Sequence, residues 1–302
     1  MLLNLPLSRS KLDRAAHLRS DSAALDELFF KAKIISMVAD RFECSQSGLT
    51  FISPELARGE RYFLGLSSSG EPYFVVHQES DQQEFGENFQ SLRTLGAHLS
   101  DLEIGAAVHS LALSQWHQSH MRCSKCGEDT KSILGGSVRK CLVCGAEHHP
   151  RTDPAIIVLV KDSKDRILLG RQKVWPEKRF STFAGFVEPG ESFEECVSRE
   201  VFEEAGVYCN DINYLRSQAW PFPASIMIAF EAITDHPENA RPDDEEITEV
   251  RWLSRDEMKN AVAESDILLP PAISVARKMI TAWYVGKEGY VVDDLRGGES
   301  WR

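Results

Sequence analysis

The chain has 302 residues, 42% of them hydrophobic and 26% charged, which is ordinary globular composition and enough for two compact domains. Its formal net charge of -12 argues against a protein built around non-specific binding of nucleic-acid backbone, which needs a broad basic surface. A polyanionic substrate can still bind locally where metal ions or a few cations offset the charge.

No long apolar run is present, so no membrane span is expected. Residues 1–19 are mildly basic without an apolar core, which speaks against a secretory signal and leaves an amphipathic organelle presequence as the minority reading. Residues 299–302, Glu-Ser-Trp-Arg, match no retention or peroxisomal address. Of the seven cysteines, four cluster and Cys44, Cys196 and Cys209 are scattered. Lone thiols in odd number suit a reducing compartment, so a cytoplasmic location is expected.

Along the chain, residues 31–78 read as strands. The runs 34–38, 49–52, 62–66 and 73–76 are rich in β-branched and aromatic residues, with Gly-, Ser- and Pro-containing turns between them. Residues 102–117 change to helical spacing, with Ile104, Ala107, Leu111 and Trp116 recurring. No chemistry stands out before residue 118; His77 and the polar run 79–83 read as solvated surface. After a cysteine-rich stretch at 123–149 come apolar runs at 155–160 and 166–170, with Asp162-Ser163-Lys164-Asp165 between them as a hairpin turn. Further strands are predicted at 183–187, 226–232 and 250–253, and helices at 193–205 and 271–283. Strands mixed with helices imply an α+β or α/β sandwich.

Cys123-Ser-Lys-Cys126 and Cys141-Leu-Val-Cys144 are two matched C-x-x-C pairs. Two residues between thiolates let one tight turn aim both sulfurs at one ion, and two such turns complete a tetrahedral Cys₄ site. Gly127 and Gly145 follow each pair, as a knuckle turn favours. Four thiolates leave no open position, so a zinc ion here is structural. His148 and His149 read as neighbours rather than replacement ligands. A zinc ribbon alone suggests nucleic-acid binding, but Lys131, Arg139 and Lys140 are weak cationic support between the pairs.

The richest chemistry lies in residues 185–207, GFVEPGESFEECVSREVFEEAGV. Pro189-Gly190 makes a turn, Ser192 with Glu195 forms a capping box, and Gly206 ends the helix in a left-handed conformation. Glu200, Glu203 and Glu204 stand at i, i+3, i+4 on one face, where like charges repel unless a cation lies between them. Phe193, Val197, Glu200 and Glu204 form one stripe that starts apolar, predicting that it faces the core and then turns carboxylate. Clustered hard oxygen ligands suit Mg²⁺ or Mn²⁺. Glu191 and Arg199 can pair and fix the loop against the helix.

This stretch resembles the Nudix box, G-x₅-E-x₇-R-E-U-x-E-E-x-G-U with U bulky and apolar, without departure. The resemblance implies hydrolysis of a nucleoside diphosphate linked to another moiety. It implies Glu200, Glu203 and Glu204 as catalytic metal ligands, one of them assisting deprotonation of water, with Glu191 and Arg199 as the supporting pair. Downstream, Ser217-Gln218-Ala219-Trp220-Pro221-Phe222-Pro223-Ala224-Ser225 resembles the NADH pyrophosphatase signature S-Q-P-W-P-F-P-x-S, departing at Ala219. Trp220 and Phe222 offer faces for a nicotinamide or adenine ring, and Gln218 and Ser225 offer hydrogen bonds. Packed scaffold is the competing reading of this aromatic–proline string. The same family implies a further metal-binding glutamate at Glu246, with Glu245 and Glu249 as alternatives, and substrate contacts at Ala276 and Phe186.

The expected architecture is a β-rich, Nudix-like N-terminal domain (1–118), a Cys₄ zinc ribbon (119–152), a Nudix α/β/α sandwich (153–286) and a C-terminal tail (287–302). The expected reaction is hydrolysis of NADH to NMNH and AMP, with NAD⁺ and related dinucleotides as secondary substrates. Removal of NAD caps from RNA 5′ ends by the same site is the alternative. A ribbon binding nucleic acid beside an inactive Nudix scaffold ranks below both, because a binding fold need not hold repelling carboxylates. The family also implies a homodimer.

Overall fold

The computed structural model describes residues 4–78 and 88–296, so the polar run 79–83 and residues 299–302 lie outside the described residues. The chain divides into two compact units, one of residues 6–152 with 219–224, the other of residues 1–5, 153–218 and 225–302. Among the described residues, no helix is long and apolar enough to cross a membrane.

In the N-terminal unit, α1 (Ser22–Phe29) precedes β1 (Lys33–Val38), β2 (Arg41–Ser45), β3 (Gly48–Leu49), β4 (Phe51–Ile52), β5 (Glu60–Leu66), β6 (Pro72–Gln78) and β7 (Phe89–Ser91). Helices α2 (Leu92–Leu95) and α3 (Asp101–Ser119) follow. The main sheet order is β3-β2-β1-β6-β5, with β4 beside β1 and β7 beside β2. Alternation along β1 splits the core. Ile35 and Met37 pack with Ile104, Ala107 and Leu111 of α3, while Ile34 packs with Leu25 and Phe29 of α1. Helix α3 starts at a capping box, Ser100 with Glu103, and Glu103 also accepts from the Leu49 backbone N–H at 3.0 Å. His77, at the end of β6, is half-buried against Gln118.

The ribbon belongs to this unit: β8 (Thr130–Ile133), β9 (Val138–Cys141) and β10 (Glu147–His148) form a sheet of order β10-β9-β8. A buried polar chain ties it to α3. His117 stacks on Tyr62 at 4.0 Å and contacts the Gly136 carbonyl at 2.8 Å, and Arg139 reaches its other ring nitrogen at 2.8 Å. Arg139 also donates to the Thr130 hydroxyl and carbonyl, so this buried guanidinium leaves few donors unmatched.

The C-terminal unit is an α/β/α sandwich. Its strands are β11 (Asp153–Lys161), β12 (Ile167–Gln172), β13 (Phe183–Phe186), β14 (Asn210–Trp220), β15 (Ser225–Ile233) and β16 (Ile247–Leu253). The order is β14-β15-β11-β12-β16, with β13 beside β11. Strand β11 is buried on both faces. Ile156, Val158 and Val160 meet α4 (Phe193–Ala205), and Ile157 and Leu159 join the core of α5 (Arg255–Ala263) and α6 (Val275–Val285). The predicted turn at 162–165 is present, with the Asp162 carboxylate accepting the N–H groups of Lys164 and Arg166. Strand β14 and helix α5 are additional to the predicted elements. β14 is a largely exposed edge strand without apolar alternation, and α5 is short, although Ser254 with Glu257 caps it visibly. Residues 287–296 are built into the unit: Leu295 is buried and Tyr284 donates to Asp294 at 3.0 Å.

Candidate active site and cysteine centre

Helix α4 forms where local chemistry directs it. The Ser192 side chain accepts from Glu195 N–H while Glu195 accepts from Ser192 N–H, and Gly206 closes the helix at φ 70°. Gly190, at φ 92°, supplies the turn before it. The buried face carries Cys196, Val197, Val201, Ala205 and one carboxylate, Glu204. The apolar stripe therefore does not begin at Phe193, which is 41% exposed, contrary to the sequence expectation. It lies in the first turn, and the buried contacts start three residues later.

Arg199 organises the loop. Its guanidinium donates to both Glu191 oxygens at 2.8 and 2.9 Å, to the Phe186 carbonyl at 3.1 Å, to Glu200 at 2.8 Å and to Glu203 at 3.0 Å. That forked pairing holds the Glu191 carboxyl down at about 2. Glu200 and Glu204 go the other way. Burial pushes Glu200 up despite Arg199. Burial, and then the charges of Glu246, Glu200, Asp243 and Glu203, push Glu204 to about 8. Glu204 Oε2 is buried without a hydrogen-bond partner, a costly state for a carboxylate.

Glu200 has its place because residue 185 is glycine. On β13, opposite Ile156, a Cβ at Gly185 would lie 1.9 Å from Glu200 Cδ. Of the three downstream acidic alternatives, Glu246 is the one whose charge acts on both Glu200 and Glu204. Gln172 donates to it at 2.6 Å, and Asp243 fastens its turn by accepting the N–H groups of Glu245, Glu246 and Ile247. Glu249 instead pairs with Arg171 and Arg251. Gln172, Asp243 and the need for Gly185 were not read from the sequence. An Asp opening a turn was a visible signal, whereas the other two depend on long-range contacts.

The donor set is all hard oxygen, overcharged with carboxylate and partly unsatisfied, which suits a small divalent cation. The cysteines converge more closely. Among the described residues, the sulfurs of Cys123, Cys126, Cys141 and Cys144 form the group within 4.8 Å of one another, with Cys123–Cys144 at 3.7 Å and Cys126–Cys141 at 3.5 Å. Tetrahedral zinc thiolate requires about 3.8 Å between sulfurs. Gly127 and Gly145 adopt φ 81° and 71°, as the knuckle turns demand. His148 approaches Cys123 Sγ at 3.3 Å from outside this set, as a neighbour.

The expected substrate residues sit in different settings. Phe186 is 59% exposed beside the Arg199 cluster. Ser225 opens β15 half-buried, opposite Asp153. Ala276 is buried in α6. Gln218 is fully buried and its amide donates to the Ile273 carbonyl at 3.0 Å, bracing the approach to α6. Trp220 and Phe222 are half-buried in the N-terminal unit.

The NUDIX domain family matches residues 151–271. The NAD-capped RNA hydrolase NudC of Mycobacterium tuberculosis (strain ATCC 25618 / H37Rv) is 36% identical over 92% of this chain and 94% of its own. The protein of the same name from Stutzerimonas stutzeri (strain A1501) is 33% identical over 90% and 96%. The mitochondrial NAD(P)H pyrophosphatase NUDT13 of Mus musculus is 35% identical over 73% of this chain and 66% of that one.

Proposed function

Because the chain belongs to the Nudix hydrolases, in their NudC-like branch, we propose that it hydrolyses the diphosphate bridge of NADH to NMNH and AMP, and cleaves NAD⁺ and related dinucleotides more slowly. The observation that carries this reading is Glu204: a buried carboxylate with an unpartnered oxygen, pushed to about 8 among three other glutamates.

Nudix hydrolases need divalent metal ions. Glu200, Glu203, Glu204 and Glu246 would hold Mg²⁺ or Mn²⁺. When bound, the ion neutralises phosphate oxygens and acidifies water. The chain's own groups do the rest. Arg199, forked on Glu191, locks the loop 185–191 to α4, holds the largely buried Glu200 carboxylate and pairs with the exposed Glu203. Gln172 holds Glu246 towards the site. With a cation offsetting the neighbouring carboxylates, Glu204 would be ionised and its otherwise unpartnered Oε2 would be placed to accept a proton from water. Zinc on the four cysteines would be structural, one per chain, since the thiolates close the coordination shell. Free Cys44, Cys196 and Cys209 fit a reducing cytoplasm. A homodimer completes the reading, and sedimentation at several concentrations tests it.

The decisive experiment is product analysis of NADH, NAD⁺, ADP-ribose and diadenosine substrates with Mg²⁺ or Mn²⁺. NMNH plus AMP, formed fastest from NADH, is expected; no cleavage of any dinucleotide with either metal overturns the proposal. The names of the relatives favour a second reading, NAD-cap removal from RNA through the same head group. Turnover of NADH and NAD-capped RNA across a salt series separates the two, because contacts to an RNA chain weaken with salt and a net charge of -12 disfavours them.

A further inference from the structure

The segment 219–224 clusters with the N-terminal unit, although the residues on both sides of it belong to the other. Pro221 is buried, and Ala219, Trp220 and Phe222 pack against the core shared by β1, β2 and α3. Two polar side chains of that unit act on the segment directly. Gln115, half-buried on α3, donates from its amide to the Pro221 carbonyl at 3.2 Å and the Pro223 carbonyl at 2.6 Å in the orientation that satisfies both. Arg93, on α2, places its guanidinium 4.0 Å from the Phe222 ring centroid and 5.3 Å from that of Trp220. The two rings meet edge to face, 4.9 Å apart at 72°. A cation over one face of Phe222 fixes its tilt and leaves at most the opposite face for a substrate ring.

We infer that Arg93 and Gln115 are positioning residues for the dinucleotide, and that the N-terminal unit sets specificity by holding the Trp220–Phe222 pair in its binding posture. This rests on the reading of 218–225 as a substrate segment. Pre-ordering a side chain removes an entropic cost of binding equivalent to roughly two- to tenfold in affinity. The fixed prolines supply part of that order, but they have no N–H to donate. The Gln115 amide adds a side-chain tie to the carbonyls of Pro221 and Pro223, and Arg93 adds one to the two rings.

The test compares NADH with diribosyl diphosphate, which keeps the bridge and lacks both rings, in full-length Arg93→Met, Arg93→Lys, Gln115→Glu and Phe222→Ala proteins. Gln115→Glu keeps the side-chain size and removes both donors. Arg93→Met and Gln115→Glu should each raise KM for NADH about three- to tenfold, with kcat within about twofold. The ringless substrate should be little affected, and Arg93→Lys should restore part of the loss. If Phe222→Ala is selective against NADH while neither Arg93→Met nor Gln115→Glu is, the positioning role is overturned and the substrate reading stands. If Phe222→Ala itself shows no selectivity, the substrate reading fails and takes this inference with it. Equal losses on both substrates with a lowered Tm would make both residues plain scaffold, also overturning the inference.

Discussion

Gly185→Ala tests the placement of Glu200 with a single methyl group. The added Cβ would stand 1.9 Å from Glu200 Cδ and 2.0 and 2.3 Å from its oxygens, where ordinary contact begins at 3.4 Å. The carboxylate must retreat by about 1.5 Å, the difference between those two distances to Cδ. It would then leave its 2.8 Å bond with Arg199 and its place beside Glu204. Misplacement by about 1 Å in a catalytic constellation costs on the order of a hundredfold, so kcat should fall at least that far. The fold should survive, because the obstacle is the end of a flexible side chain and alanine suits a strand better than glycine by about 0.5–1 kcal/mol. The assay is NADH turnover with saturating Mg²⁺ or Mn²⁺, read beside Tm. A second arm adds Glu200→Asp, whose shorter side chain relieves the clash; in the Gly185→Ala background it should cost much less than it does in wild type. A folded Gly185→Ala protein with near-normal kcat would refute the assigned role of Glu200.

Glu204→Gln should lower turnover by at least about a hundredfold in a folded protein, and near-normal activity would sink its role as ligand or base. The same residue predicts a pH signature for metal-free protein. Its folded carboxyl titrates at about 8 against an ordinary 4.5, so the folded state binds the extra proton between those values and stability falls as pH rises through that window. His117, buried neutral and titrating at about 4, gives the opposite slope between 4 and 6.5; comparing wild type with Glu204→Gln cancels it. The difference in Tm should widen from pH 5 to 8 in favour of the variant and narrow when Mg²⁺ is added, and a flat difference counts against the buried ionisation. Cys126→Ser should lower both zinc content and Tm before it selectively affects catalysis. Stable, active wild-type protein without zinc contradicts that assignment. Phe222→Ala should reduce kcat/KM for NADH about five- to a hundredfold. A large fall in Tm with equal losses on every substrate shows packing instead.

The features legible in the sequence are those fixed by short-range geometry. The capping box of Ser192 and Glu195, the left-handed Gly206 and the i, i+3, i+4 glutamates need only one helix to have meaning. The same holds for the cysteine knuckles, where Gly127 and Gly145 adopt the positive φ that their position implied. Glu246 was one of three acidic residues within five positions, with Glu245 and Glu249, and spacing alone could not choose among them. The pairing of β12 with β16 gives them different surroundings, with Gln172 at 2.6 Å from Glu246 and Arg171 beside Glu249.

By itself, then, the amino-acid order determined a helix bearing three repelling carboxylates and two turns aiming four sulfurs at one point. Those are consequences of helical pitch and turn length, which the local chain imposes. Only the tertiary structure decided that Phe193 stays exposed while Glu204 is buried, because burial depends on which side of α4 meets the sheet. It alone decided that Gly185 must lack a side chain, since Glu200 comes from another element. It also alone assigned Trp220 and Phe222 to the N-terminal core: an aromatic–proline turn packs wherever apolar surface and donors await it, and here these come from β1, β2, Arg93 and Gln115, all more than a hundred residues away in the chain.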